Sequence, residues 1–334
     1  MANGGHGKSL ASLLAAVIAW TIAAMRTTAG RESSAGGDRY VVRPVPLSSV
    51  RLLSRASPHA LAADSHGILQ RHELNLAYLG ALDPQKLACP FVTASSWLGN
   101  QSVSCVDYTE NRGHWFQGHY LSATSHALAT ADDATIASRA EEFMKLLEPC
   151  QRADGYLGAW PSGVFDDLEA GRRLRSGVSV PYYDVHKMLA GLLDRYTLLS
   201  DGRALRMAVA LADYFVARVR NVIRVNGMAT WQRILCVEWG GMNEAAYNLY
   251  AITTNESHRE LGDYFEKQAF ALPLSAGVDA LSGLHANTHI PQVIGMARGY
   301  EVTGNVTQRR MAQYFFDTVF HTRAYATGNG NPHE

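Results

Sequence analysis

The sequence predicts an all-α fold in which helical hairpins stand side by side around a ring, an α/α toroid. Three observations predict it. Four stretches repeat one pattern: a helix, a short Thr/Asp/Gly/Asn turn and a second helix. The first helix of each pair is small and apolar nearly all round, whereas the second carries an apolar stripe on one side. Nothing alternates strands with helices, and no G-x-G-x-x-G or G-x-x-x-x-G-K-[ST] segment occurs, so a nucleotide cofactor has no support.

Residues 1–30 read as a signal segment. Lys8 precedes an apolar run from Leu10 to Met25, and Thr27, Thr28 and Ala29 follow, the order of a secretory leader. The run of about 16 residues is short against the roughly 20 of a membrane span, so a cleaved signal peptide is the first reading and a signal-anchor the second. Residues 31–44 form a polar linker that includes RESSAGGDR from Arg31. The run Val41 to Leu53 reads as a strand or an extended lead-in, and a helix over about Asp64 to Leu82 opens the ring.

Buried inner helices are expected at His119–Ala129, Tyr183–Leu199, Met242–Ile252 and His289–Tyr300. Their partners begin with SRAEEFMKLL at Ser138, LRMAVALADYFVARV at Leu205, HRELGDYFEKQAF at His258 and RRMAQYFFDTVF at Arg309. In the second partner, Met207, Leu211, Tyr214, Phe215 and Arg218 share one helical stripe. The turns are Ala131–Asp133, Ser200–Gly202, Thr253–Asn255 and Thr303–Asn305. This makes four pairs and one early helix.

The 334 residues carry 30 Lys+Arg against 30 Asp+Glu, so the chain lacks the basic excess that draws a protein to phosphate backbones, and no nucleic-acid partner is expected. A charged fraction of 18% with 47% hydrophobic residues is globular rather than disordered. Beyond the leader no stretch is long and apolar enough to span a bilayer. Sequons at Asn100, Asn255 and Asn305 fit a secreted or cell-wall glycoprotein. Of the four cysteines, Cys89 and Cys105 bracket one loop and are the preferred pair, with Cys150 and Cys236 remaining. No C-x-x-C or H-E-x-x-H pattern occurs, and no metal ligands are assigned.

Chemistry gathers where the inner helices start. The segments RGHWFQGHYLSA, PYYDVHK, EWGGMNEAAYN and LHANTHIPQ lead into them. They carry His114, His119, His186, Glu238, Asn243, Glu244, His285, Asn287 and His289. In a ring of parallel inner helices these starts share one end and converge on one pocket. Neutral imidazoles donate and accept, which suits sugar hydroxyls. Glu238 and Glu244 offer a carboxylate pair for glycoside chemistry, or Glu244 caps the first turn of its helix. Trp115, Tyr182, Tyr183 and Trp239 either stack on a sugar face or pack the core.

These segments resemble glycoside hydrolase family 127, the β-L-arabinofuranosidase-like family. The likeness rests on RGHWFQGHYLSA, CQRADGYLGAWP, PYYDVHKMLAGLLD, EWGGMNEAAYNLY, LSGLHANTHIPQVIG and YATGNGNPHE, and runs from about Val45 onward. The segment Cys89 to Asp107 fits it less well. The resemblance implies an (α/α)6 toroid that removes β-linked L-arabinofuranose from glycans or glycoproteins with retention. It implies a zinc-held cysteine thiolate as nucleophile and a glutamate as acid/base. It makes His119, His186 and His285 substrate-binding imidazoles, gives Glu244 a pocket-lining role and makes Glu334 the candidate acid/base; the residues themselves add His114 and Trp239 to the candidate binding set. The family's zinc-binding Glu and Cys residues, nucleophile included, lie downstream of the last matching segment, and none of the four cysteines matches them. Residues 45–334 are therefore expected to form an incomplete toroid, inactive alone, with no cofactor of their own and zinc expected in full-length members. The alternatives are another α/α-toroid sugar enzyme, an unsaturated-uronyl hydrolase or epimerase, and a non-catalytic carbohydrate-binding protein.

Overall fold

The computed structural model describes residues 45–50, 52, 67–95, 116–174 and 178–326. The chain divides into two units, residues 1–45 and 46–334, and every described element belongs to the second. The expected leader and linker lie outside the described residues, as do His114, Trp115 and Glu334. Thirteen α-helices are described. They are α1 (Ile68–Ala81), α2 (Pro84–Ser95), α3 (Phe116–Thr130), α4 (Ala134–Leu147), α5 (Gly163–Glu169), α6 (Pro181–Leu199), α7 (Gly202–Asn226), α8 (Met228–Ile234), α9 (Met242–Thr253), α10 (Glu256–Tyr264), α11 (Gln268–Ser275), α12 (Ala286–Thr303) and α13 (Val306–Thr322). Among the described residues there is no strand. The expected strand near Val41 to Leu53 is, where described, a single 3-10 turn at Leu47–Ser49.

The inner row is α3, α6, α9 and α12, each packed on the next. The outer helices α4, α7, α10 and α13 each pack on the inner helix that precedes them. The inner helices run parallel. In α9 and α12, Asn243 lies against Gly295 and Tyr247 against Gly299, so the register advances in the same sense along both. Asn243 also donates from Nδ2 to the Gln292 carbonyl at 3.0 Å.

The repeated turns are helix caps. Each outer helix starts behind an Asp or Asn whose side-chain oxygen accepts from backbone N–H groups of the first turn: Asp133, Asp201, Asn255 and Asn305. Three inner helices end on a left-handed residue, Ser200, Thr254 or Gly304. Two of the sequon asparagines, Asn255 and Asn305, are thus caps as well. The helices α2, α5 and α8 are additional to the expected pairs, and the expected outer helix from His258 to Phe270 breaks after Tyr264, so that residues 268–270 open the separate α11.

Behind α6 the core is aromatic. Tyr182 packs edge-on against Phe165 at 4.9 Å, Phe265 at 5.4 Å and Trp231 at 5.5 Å between ring centroids. At the α12 end, where all-round burial is expected, Ile290 and Ile294 are exposed, as are Phe316 and Phe320 on α13. Cys89 is disulfide-bonded and Cys150 and Cys236 are free thiols; Cys105, its expected partner, lies outside the described residues. No helix among the described residues is long and apolar enough to cross a membrane.

Candidate functional site

Glycines draw the inner helices together. A Cβ on Gly118 of α3 would overlap the Lys187 carbonyl of α6, and one on Gly191 would overlap the Gly118 carbonyl. Any side chain at either position would force the helices apart. This close crossing sets His119, the neighbour of Gly118, on the same rim as His186 and Lys187.

The start of α9 joins them through Gly240 and Gly241. Gly240 has φ +63, and a Cβ there would sit 2.5 Å from Nδ1 of His186, so glycine is required on two counts. The Gly241 N–H donates to His186 Nδ1 at 3.3 Å. A neutral His186 therefore carries its proton on Nε2. That Nε2 lies 3.3 Å, and Glu244 Oε2 3.5 Å, from the point where a side chain at position 241 would begin. An imidazole N–H and a carboxylate oxygen thus border one small space.

Electrostatics hold this group in defined states. His186 is 6% exposed. Burial, then the charges of Lys187 and His119, keep it well below the ordinary imidazole range, so it stays neutral. His119 stands at the rim, lowered by desolvation and then by Lys187. The ammonium of Lys187 lies over the Tyr183 ring, 4.6 Å from its centroid. Burial lowers Lys187, opposed by Glu238 and Glu244. Glu244 is raised by burial and by Asp194, opposed by Arg298 and Lys187. Tyr183 sets its ring edge toward His186, 6.2 Å between centroids. Neutral N–H donors, carboxylate acceptors and one aromatic face are what sugar hydroxyls and a sugar ring engage.

The structure brings His186 and Glu244 together, with His119, Tyr183 and Glu238 of the sequence candidates nearby, and adds Lys187 and the two glycines. Lys187 directly follows His186 in PYYDVHK, so the motif contained it, but its side-chain position depends on Tyr183 and α9. Trp239 is not on the pocket wall: it is 1% exposed and tilted on Phe265, 5.4 Å between centroids, because the chain turns inward beside Gly240. Tyr182 is likewise core. His285 caps the start of α12, where its carbonyl accepts from Nδ1 of His289 at 2.8 Å. No hydrogen bond or ring contact among the described residues joins His285 to the His119, His186 and Glu244 group.

The described residues do not fit a zinc–thiolate centre. No three His, Cys, Asp or Glu side chains among them converge to hold a metal. The Cys150 thiol is pushed up to about 11 by burial and donates to the Leu146 carbonyl at 3.2 Å, the opposite of a stabilised thiolate. Cys236 is exposed and points to the Gln232 carbonyl at 3.6 Å.

A family model described as "Beta-L-arabinofuranosidase, GH127 catalytic domain" matches residues 64–334. The chain belongs to the GH127 family. Among solved structures, this GH127 chain is similar to Ara127N-Se, a GH127 beta-L-arabinofuranosidase from Geobacillus stearothermophilus T6. Identity is 18%, the TM-score 0.51, and the match covers 80% of this chain. At that identity the likeness establishes the all-α toroid architecture. The match spans 44% of that protein's length. No curated protein matches the sequence.

Proposed function

We propose that this GH127 chain binds glycans ending in β-linked L-arabinofuranose at the rim formed by His119, His186, Lys187 and Glu244, within a glycoside hydrolase that cleaves the terminal sugar with retention. One observation carries the reading. The proton-bearing Nε2 of His186 and Oε2 of Glu244 border the same space beside Gly241, a donor and an acceptor set for neighbouring hydroxyls. The chain's own residues bind and orient. His186 and His119 donate as neutral imidazoles, Glu244 accepts, and Tyr183 supplies a ring face. The family's zinc-held thiolate has no counterpart among the described residues, and no step is routed through it. His285, half-buried at the head of α12, would reach the sugar from the next lead-in segment.

The test is incubation with methyl β-L-arabinofuranoside, followed by proton NMR at the anomeric position. Saturable binding supports the site, and first release of the β-anomer of arabinose supports retention. Preference for an unsaturated uronide would favour a different toroid enzyme. The apolar run at residues 10–25 and the sequons support secretion. Recovery of the chain from culture medium without its leader tests that.

A further inference from the structure

We infer that Asn305 is an N-glycosylation site whose one amide both caps α13 and carries an oligosaccharide. The inference is independent of the sugar-binding reading and rests on the secretion reading, which brings the chain to the machinery that glycosylates asparagine.

Asn305 opens the sequon Asn305-Val306-Thr307 and is exposed at the head of α13. Its Oδ1 accepts from the backbone N–H groups of Thr307 at 3.0 Å and Gln308 at 3.4 Å, which fixes the orientation of the amide. Its Nδ2 has no hydrogen-bond partner among the described residues. N-glycosylation uses that nitrogen. The bond from Nδ2 to the anomeric carbon of a lipid-linked oligosaccharide forms, the bond from that carbon to the lipid diphosphate breaks, and Nδ2 gives up one proton. Oδ1 takes no part and the amide stays neutral, so the cap survives the modification.

The surroundings leave room for the sugar. Asn305 borders a cleft of about 590 Å³ whose walls include Tyr250, Glu256, Arg259, Asp263 and Thr303. Their polar groups suit a first N-acetylated sugar. Val306 is 70% exposed, and a bulky polar group beside it shields that apolar surface. Thr307 Oγ1 has no partner among the described residues. At the sequon of Asn255 the cap is similar, but Glu256 accepts from Tyr250 and Arg259, and Ser257 Oγ accepts from Arg220. An oligosaccharide there would crowd side chains already engaged. Asn305 follows the last turn of α12, at the opposite end from the inner-helix starts, so its sugar leaves their rim open.

The test is production of the full chain in a eukaryotic secretory host, with each sequon peptide read by mass spectrometry before and after enzymatic removal of N-linked sugar. Asn305 is expected to be modified in most of the secreted chain. Asn305→Asp keeps a capping oxygen without the amide, and Thr307→Ala breaks the sequon while keeping the cap. Both should lose the modification at this position. Glycosylated wild type should melt no lower than Asn305→Asp. A melting point as low as that of Asn305→Ala would mean that the modified amide no longer caps, and would overturn the inference. A secreted chain with an unmodified Asn305 peptide would overturn it too and leave the secretion and sugar-binding readings standing. A chain kept in the cytosol with its leader intact would overturn the secretion reading and this inference with it.

Discussion

Gly240 decides whether the pocket exists in its observed form. Alanine there must adopt φ near +63 and place its Cβ 2.5 Å from the His186 ring. The strain alone is worth about 1–3 kcal/mol, and the ring must swing away from the Gly241 N–H. Gly240→Ala is therefore expected to lower stability in urea by that amount and to weaken pentoside binding by more than about tenfold. Asp184 gives a second prediction at this scale. Its half-buried carboxyl accepts from Trp160 Nε1 at 3.3 Å, yet burial dominates and pushes it up to about 7 from 3.8. A carboxyl raised in the native state favours folding fully below its unfolded pKa, and that contribution is lost as pH rises through about 7. Asp184→Asn keeps the neutral form at every pH. It should match wild type near pH 3 and melt at higher temperature near pH 8, as read by circular dichroism. His186, Glu244 and their glycines were legible as motifs. The burial of Trp239 was not, because Phe265, which covers it, arrives from a later helix.

Among the elements, the repeated hairpin was the most legible feature because its turns carry chemistry. Asp133, Asp201, Asn255 and Asn305 stand one residue before their outer helices and satisfy N–H groups that have no partner within the helix. Asp201 does more than the others. It pairs with buried Arg195 at 2.7 Å and with Arg203 at 3.1 Å, and Glu141 closes the network from α4. Asn305→Ala is expected to cost about 1 kcal/mol, a cap alone. Asp201→Ala is expected to cost about 3 kcal/mol or more, since it leaves the buried Arg195 short of a partner. Thermal or urea unfolding of the two variants checks the difference. Four helices escaped the sequence pattern for physical reasons. Pro90 and Pro273 interrupt the donor pattern inside α2 and α11, and α5 and α8 are seven residues each, too short to show a period. Pro291 likewise hid the first turn of α12, which begins at Ala286 rather than at the expected His289.

For the whole molecule, topology does the work that no single motif does. Alternating inner and outer helices returns every inner helix to the same end, so lead-in segments separated by dozens of residues contribute to one rim. Helix starts with unfilled N–H groups and positive dipole ends gather there, while the caps and left-handed turns gather at the other end. The periodicity was enough to predict this arrangement. It was not enough to show which lead-ins meet: those of His186 and Glu244 do at Gly241, with His119 near them beside the Gly118 crossing, whereas among the described residues no hydrogen bond or ring contact joins His285 to them. Nor does an apolar pattern tell which neighbours an inner helix has, and α12 leaves Ile290 and Ile294 exposed for that reason. The most direct measurement is a chemical-shift titration of the isotope-labelled chain with methyl β-L-arabinofuranoside. Saturable shifts concentrated at His119, Tyr183, His186, Lys187, Gly241 and Glu244 are predicted. Shifts centred instead on the far turns at Ser200, Thr254 and Gly304, or spread evenly without saturation, would contradict a single sugar pocket at the inner-helix starts.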